Sequence, residues 1–273
     1  MGKRARPAEG QKSRKKYKIA NGILEPCVSG IYATCARKHE KQAAQELGQL
    51  FQDKVDELYC NDLAESQDTA EDNAELSVED QIKKELQELK SVPRDGQKAK
   101  KEVLKFIDLN CECVVFCKTR QPVQPADFVH ELMQDFANPN NMQKRTRYVQ
   151  KLTPVTFSTS ASMVELTKLA EQVLKSHFHV EGVTPLKFAV EVTRRNFNTI
   201  EKMDIIKEVA RVVGKGGQLG HTVDLKEYDK LILVECFKNN IGMSVVDSDY
   251  RTKYKRYNVQ QIYEAKFKER EAV

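Results

Sequence analysis

Two hydrophobic periodicities alternate along the chain: short runs with an apolar residue at every second position, and longer runs with apolar residues three or four positions apart. The first pattern predicts half-buried strands and the second predicts helices that pack on them. From residue 27 to residue 157 they predict the order β-α-β-β-α-β, which is typical of a ferredoxin-like domain. The last strand of this set is TRYVQKLTPVTF. We therefore predict an α+β protein whose first unit covers residues 26–157.

A second set of elements begins at Ser162, three residues before Glu165, in the spacing that satisfies two free amides at a helix start. It continues through the strand, turn and helix of KFAVEVTRRNFNTIEKMDIIKEVAR at 187–211. The continuous apolar run LILVECF predicts a central strand, and MSVV pairs back onto it. A final helix is predicted with its apolar side inward, formed by Val259, Ile262, Tyr263 and Phe267. This second unit covers residues 158–264 and is predicted to contain a mixed sheet.

Three segments depart from these patterns. The first 20 residues contain eight Lys or Arg and one Glu, which predicts a disordered basic tail over residues 1–25. Its two basic clusters fit a nuclear-import signal, a non-specific RNA tether or a solubilising tail. Residues 61–80 contain eight Asp or Glu and no base, and predict an acidic loop insertion followed by a short helix through Lys90. Residues 265–273 are predicted to form a C-terminal tail.

The composition argues against a membrane protein and against a protein held together by disulfide bonds. No run of 18 apolar residues and no hydrophobic N-terminal region occurs, so we expect a soluble protein that is made in the cytosol and has no membrane partner. The seven cysteines contain no CxxC pair and are expected to be free thiols. Cys111, Cys113 and Cys117 share parity on a predicted strand, which favours buried strand residues over a zinc site.

The sequence offers little catalytic chemistry. The glycine run at 214–220 follows a helix, whereas a phosphate-binding loop precedes one, and its spacing fits no nucleotide motif. Glu235 is a carboxylate within a predicted central strand, for which a strand-edge salt bridge is favoured over catalysis. No nucleophile elbow, zinc-deaminase pattern or kinase signature appears. We therefore predict a protein that is not an enzyme and needs neither metal nor cofactor.

Basic residues interleaved with aromatic and amide residues instead indicate RNA binding. Arginine and lysine bind phosphate, aromatic rings stack on unpaired bases, and asparagine reads base edges. Each cluster alone could be a solvated surface, but three clusters near predicted strand ends favour RNA. Helix geometry adds Arg211 as a fourth candidate position. The three clusters contain Arg145, Arg147 and Lys151; Arg194, Arg195 and Asn196; and Lys255, Arg256, Tyr257 and Asn258.

Three stretches carry a family resemblance: RTRYVQKLTPV at 145–155, the strand-RRN-helix run, and SVVDSDYRTKYKRYN at 244–258. Together with LILVECF they resemble the THUMP-domain family of eukaryotic tRNA acetyltransferase adaptors, over most of residues 26–264. The resemblance implies a THUMP domain at 158–264 that holds tRNA together with the ferredoxin-like domain. It also implies contact with the single-stranded 3′ acceptor end. It carries RNA-binding roles onto Arg194, Arg195, Asn196, Lys255, Arg256, Tyr257 and Asn258, although Tyr257 and Asn258 could equally be structural, with Asn258 capping the last helix.

The resemblance further implies a targeting subunit that brings leucine and serine tRNAs to an RNA cytidine acetyltransferase. That partner would use acetyl-CoA and ATP to form N4-acetylcytidine in the D arm. A nuclear or nucleolar location is expected, with the cytoplasm as the alternative. The chain ends about ten residues beyond the resemblance, which is expected to leave no room for a further catalytic domain. The alternatives are a stand-alone RNA-modifying enzyme and an RNA-binding scaffold. Replacing Arg194 and Arg195 together is expected to weaken tRNA binding and leave the fold intact.

Overall fold

The computed structural model describes residues 20–68, 102–141, 143–180, 182 and 184–271. Their strands form two five-stranded sheets. The predicted basic tail before residue 20, the acidic residues 69–80 and the short helix through Lys90 lie outside the described residues. None of the helices in the described ranges is both long and apolar enough to cross a membrane.

The first sheet has the strand order β1-β3-β4-β2-β5. Two helices pack on one of its faces through buried residues such as Phe51, Phe128 and Leu132. Without the short β1, the chain order and the antiparallel strand pairings are those of a ferredoxin-like domain, which confirms the predicted fold class. The elements are β1 (Ala20–Asn21), β2 (Ser29–Cys35), α1 (Glu40–Asp68), β3 (Leu104–Asp108), β4 (Val114–Thr119), α2 (Pro125–Ala137) and β5 (Val149–Val155).

The second sheet is mixed, with the order β6-β10-β9-β7-β8. β7 runs parallel to β8 and β9, whereas β10 is antiparallel to β9 and β6. The side chain of Ser162 accepts a hydrogen bond from the amide of Glu165 at 3.2 Å, so the predicted helix start is confirmed. The elements are β6 (Phe157–Ser160), α3 (Met163–Phe178), β7 (Lys187–Arg195), α4 (Lys202–Val213), β8 (Thr222–Val223), β9 (Lys230–Phe237), β10 (Asn240–Asp247), α5 (Asp249–Thr252) and α6 (Val259–Glu271).

The predicted strand TRYVQKLTPVTF is wrong as one element, because the chain passes from the first sheet to the second at Thr156. β5 and β10 then face each other across the junction of the sheets. A Cβ atom at Gly242 would lie 2.7 Å from a methyl carbon of Val155, so only glycine permits this approach. The hydroxyl of Ser244 donates to the carbonyl of Pro154 at 2.8 Å. The two sheets are therefore packed directly on each other.

The C-terminal segment packs on the first sheet although it follows the second. Tyr257, Ile262 and Tyr263 lie in the same hydrophobic cluster as the residues beneath α1 and α2. α6 continues through Glu271, whereas the sequence predicted a tail from residue 265. Phe267 is 38% exposed, so its predicted inward position is wrong.

Two further predicted boundaries differ from the structure. β1 pairs in parallel with β3, and the side-chain amide of Asn240 donates to the carbonyl of Glu25 at 3.1 Å, so ordered structure begins before Cys27. α1 continues to Asp68 after a break at Tyr59, which makes the first residues of the predicted acidic loop helical. Leucine, alanine and glutamate in this stretch favour helix despite its negative charge.

The sequence predicted that the three cysteines near β4 lie on one strand, and this prediction is wrong. Cys117 is buried on β4, whereas Cys111 and Cys113 lie in the preceding turn. Asn110 and Cys113 have φ angles of 49° and 63°, and these left-handed conformations produce the turn. Within the described ranges, no group of three His, Cys, Asp or Glu side chains is arranged to hold a metal ion.

Candidate nucleic-acid interface

A cleft of about 600 Å³ opens where the C-terminal end of β7 meets the first sheet. The ends of β2 and β5 and the turn between β3 and β4 form its other walls. Guanidinium and amide groups line it together with the carboxylate of Glu112, which lies 3.2 Å from the guanidinium of Arg37. Guanidinium and amide groups bind phosphates and the edges of bases. The polar lining includes Arg37, Gln150, Arg194, Arg195 and Asn196.

Arg194 and Asn196 lie at the exposed rim of this cleft. The guanidinium of Arg194 donates to the carbonyl of Ile200 at 3.4 Å and lies 3.7 Å from the carboxylate of Glu201. The glutamate side chain is 80% exposed, so the pair is weak and can be exchanged for another anion. Asn196 has a φ of 50°, a left-handed conformation that asparagine tolerates, and it turns the chain after β7.

Arg195 makes a very different contact. Its guanidinium donates to the carboxylate of Glu235 at 3.0 Å, and the Glu235 side chain is only 6% exposed. The pKa of Glu235 lies above its ordinary value because the carboxyl group is buried, although the positive charges of Arg195 and Lys151 oppose part of this rise. β9, which carries Glu235, lies between β7 and β10. The predicted salt bridge therefore exists, but it lies inside the sheet and not at its edge.

The structure brings together one cation from each of the three predicted basic clusters. Lys151 lies on β5, and its backbone pairs in an antiparallel β-bridge with Asn258, two residues after Arg256. Burial lowers the pKa of Lys151; the charges of Glu235 and Glu191 raise it, and those of Arg195 and Arg256 lower it further. Arg195 and Arg256 are therefore each within electrostatic range of Lys151 at the junction between the sheets.

Arg145 and Arg147 pack beside α1. The guanidinium of Arg145 forms an ion pair with Asp53, and its backbone amide donates to the hydroxyl of Tyr263 at 3.1 Å. The backbone amide of Arg147 donates to the carboxylate of Glu46 at 3.1 Å. Both arginines are exposed, but their local contacts are with the first helix and not with the cleft.

Arg211 is separated from the other candidates. It lies in the last turn of α4 and is held by Glu208 at 2.6 Å, next to a second groove of about 490 Å³. The imidazole of His179 contacts the carbonyl of Val212 near the end of α4. The two ring nitrogens of His221 contact the carbonyl of Phe178 and the amide of Leu186, just before β7. These contacts hold the end of α4 beside the start of β7. Arg194 lies at the other end of that nine-residue strand, roughly 25 Å away along it.

Tyr257 and Asn258 have the structural contacts that the alternative interpretation predicted. Tyr257 is 1% exposed and its hydroxyl lies 3.1 Å from Nδ1 of His130. The side chain of Asn258 accepts a hydrogen bond from the amide of Gln261 at 3.0 Å and caps α6. Lys255 and Arg256 are exposed in left-handed conformations, with φ angles of 48° and 57°. Both cationic side chains are therefore accessible to RNA.

Replacing Asn258 with alanine is expected to lower the free energy of unfolding by about 1 kcal/mol, because the first turn of α6 loses its side-chain cap. Asn258→Asp keeps an acceptor at the same place and is the matched control. Urea denaturation measures both, and tRNA affinity is measured beside it. An alanine variant of unchanged stability and weakened tRNA binding would assign Asn258 to the RNA instead.

Two residues of the cleft were missed by the sequence analysis, Arg37 and Gln150. Arg37 follows the end of β2 just as Arg194 stands at the end of β7, so a search for basic residues at predicted strand ends could have found it. Gln150 has no comparable sequence signal. Only the pairing of β5 with β2 places it beside the cleft.

The THUMP domain family model matches residues 160–246. The chain is 60% identical over 269 residues to a Saccharomyces cerevisiae protein named tRNA acetyltransferase TAN1, covering 95% of this chain and 93% of the yeast protein. It is 35% identical to an uncharacterised protein of Schizosaccharomyces pombe, covering 91% of this chain and 80% of that protein. Among solved structures, the THUMP domain of THUMP domain-containing protein 1 is 25% identical and covers 33% of this chain and 90% of its own, with a TM-score of 0.29.

Proposed function

Because this chain belongs to the THUMP-domain family that includes the yeast protein named tRNA acetyltransferase TAN1, we propose that it is a tRNA-binding adaptor for N4-acetylcytidine formation. The observation that carries the proposal is the arrangement of cations from basic clusters that are separate in sequence: Arg194 and Arg195 line the cleft beside the first sheet, and Lys151 pairs with Asn258, two residues after Arg256. Cations bind the phosphates of RNA, and the amides of the adjoining cleft suit base edges. The proposed surface comprises the cleft rim with Arg194 and Asn196, together with Lys255 and Arg256.

In this proposal the adaptor does not transfer the acetyl group itself. An RNA cytidine acetyltransferase would bind acetyl-CoA and ATP, and the adaptor would hold leucine and serine tRNAs by the 3′ acceptor end. The basic residues before position 20 fit import into the nucleus, where we place the protein. The lining of the cleft supports a binding role, because guanidinium and amide groups hold RNA without chemical change.

The decisive experiment measures N4-acetylcytidine in leucine and serine tRNAs from cells with and without this protein. We expect the modification to disappear without the protein and to return with the wild-type chain. Unchanged acetylcytidine would reject the adaptor function. Loss that extends to other acetylated RNAs would instead indicate an effect on the acetyltransferase itself.

The name of the yeast relative favours a second candidate, in which the chain transfers the acetyl group to tRNA itself. Purified protein is incubated with tRNA, acetyl-CoA and ATP, with and without the acetyltransferase. The adaptor function predicts acetylcytidine only when both proteins are present. Product formed by this chain alone would establish the second candidate.

Replacing Arg194 with alanine is expected to weaken tRNA binding roughly tenfold, since one charge-assisted contact at the cleft rim is lost. The matched control is Lys207→Ala, which removes the same charge from the exposed side of α4, away from the cleft. Gel-shift titrations of the two variants at several salt concentrations measure the affinity. Equal loss in both variants would mean that net charge matters and that the cleft does not.

A further inference from the structure

A second groove lies at the opposite end of β7 from the cleft, and the proposed function makes no use of it. This helix-end groove has a volume of about 490 Å³ and opens between the C-terminal ends of α3 and α4. α3 and its cap contribute side chains at four-residue spacing, which lie on one face of that helix. α4 contributes its last turn and the loop that follows. The lining residues are Glu171, Lys175, His179, Arg211, Val212 and Lys215.

Two lysines of the helix-end groove, Lys175 and Lys215, are exposed. In the part of the chain that the structure describes, neither ammonium group donates a hydrogen bond or forms an ion pair, with Glu171 or with any other carboxylate. A cation near the end of a helix is favoured by the helix dipole, but these two do not bind the helix-end carbonyls. Both ammonium groups are therefore available to an external anion.

Arg211 is fixed in the helix-end groove by Glu208. Its Nε and Nη2 donate to the two oxygens of that carboxylate, at 2.9 Å and 2.6 Å. The same carboxylate accepts a hydrogen bond from the hydroxyl of Thr167 on α3 at 2.5 Å. Glu208 is 15% exposed and Arg211 is 58% exposed. A guanidinium has five donors, so Glu208 acts as a positioning residue that leaves other donors of Arg211 for a second anion.

The backbone after α4 adds a second feature that suits an anion. Gly214 is right-handed, with φ of −82° and ψ of −3°, whereas Lys215 and Gly216 are left-handed, with φ of 44° and 71°. A right-handed residue followed by a left-handed one turns consecutive amides to one side and forms a concave anion site. A Cβ atom at Gly216 would meet no atom within 4 Å, so a ligand can approach this backbone. The glycine run fits no nucleotide motif, but its conformation suits a single phosphate.

We propose that the helix-end groove binds a backbone phosphate of the tRNA through Lys175, Arg211 and Lys215, at a point remote from the 3′ acceptor end. Arg211 lies roughly 25 Å from Arg194 along β7, too far for neighbouring phosphates of one strand. The cleft and the groove therefore hold different parts of one RNA. Phosphate contacts fix the register and orientation of a nucleic acid without reading its sequence, so the second contact orients the tRNA. This proposal rests on the tRNA-binding function above.

Two RNA probes separate the groove from the cleft in the full chain. One is a complete leucine tRNA, and the other is a labelled single-stranded tetranucleotide with the sequence of its 3′ end, which is too short to occupy both sites. The groove variant is Lys175→Gln/Lys215→Gln, which removes both ammonium charges and retains polar side chains. The matched control is Lys105→Gln/Lys268→Gln, which removes two exposed lysines on β3 and α6. Urea denaturation of each variant, measured in parallel, identifies any loss of folded protein.

We expect the groove variant to bind the tRNA roughly tenfold more weakly, with a salt slope reduced by about one, and to bind the tetranucleotide as the wild type does. The control variant should bind both probes like the wild type. Arg194→Ala should weaken the binding of both probes, because it acts at the cleft. Unchanged tRNA affinity in the groove variant, or an equal loss for both probes, would overturn the proposal.

Two further comparisons identify what has failed. If wild-type protein binds no tRNA, the proposed function fails; if it binds tRNA and the groove variant binds equally well, only the groove site fails. In that second case, stabilisation of the wild type alone by inorganic phosphate, compared with chloride at equal ionic strength, would assign the groove to free phosphate. Loss of acetylcytidine formation at normal tRNA affinity would assign it to a protein partner. Either result overturns the RNA assignment.

Discussion

Replacing Arg195 with alanine is expected to lower the free energy of unfolding by about 2 to 4 kcal/mol, in addition to weakening tRNA binding. The variant leaves the carboxylate of Glu235 buried without its closest cation. The expected loss lies below that of a fully buried pair, because Arg195 is partly exposed. The sequence-based expectation that the paired arginine substitution would leave the fold intact did not include this contact.

The loss of stability in Arg195→Ala is expected to depend on pH. Burial already raises the pKa of Glu235 above 4.5, and removal of Arg195 raises it further because the arginine charge lowers it. The folded state then holds a proton that the unfolded chain has released, so stability falls as pH rises from about 4.5 through the raised pKa. Urea denaturation at pH 5.5 and pH 8 should show a larger deficit at pH 8.

The double variant Arg195→Ala/Glu235→Gln separates stability from RNA binding. Because it removes the buried carboxylate together with its ion-pair partner, it should recover most of the lost stability. Its tRNA affinity should remain low, since a cation that lines the cleft is absent. Recovery of both properties would show that Arg195 acts on RNA only through the fold.

Replacing Lys266 with methionine is the second large effect, an expected loss of about 2 to 4 kcal/mol in the free energy of unfolding. Lys266 is 7% exposed, and its ammonium group donates to the carbonyls of Phe136 and Asn141, each at 2.6 Å, and of Asn138 at 3.3 Å. These carbonyls end α2 and the loop after it, where a positive charge is favourable. Methionine keeps the length and the apolar stem but leaves the carbonyls without this donor.

Lys268→Met is the matched control for this prediction. Lys268 lies two residues further along α6 and is exposed, so its replacement should change stability by less than about 0.5 kcal/mol. Thermal or urea unfolding measures both variants. Equal stability of Lys266→Met and the wild type would mean that water satisfies the three carbonyls when the ammonium group is removed.

The sequence predicted those features that depend on neighbouring residues. Alternation along β7 and the apolar run of β9 located their strands, and the spacing of Ser162 and Glu165 located the start of α3. The basic clusters could be identified because lysine and arginine are counted directly from the sequence. The resemblance to the THUMP-domain family was visible in three short segments, and the fold class followed from the order of elements.

The tertiary structure decided which of these residues act together. Periodicity shows which side of a strand is buried but does not say which sheet the strand joins or which residues cover it. The passage of the chain from the first sheet to the second at Thr156 was therefore not predictable, and neither was the ion pair of Glu235 with Arg195. Lys151 and Asn258 are more than 100 positions apart, yet their backbones pair because the segment after β10 returns to the first sheet. Arg211, in contrast, is close to Arg194 in sequence and distant in space, because α4 runs back along β7. The sequence by itself determined the elements, the charge and the family; long-range packing determined the site.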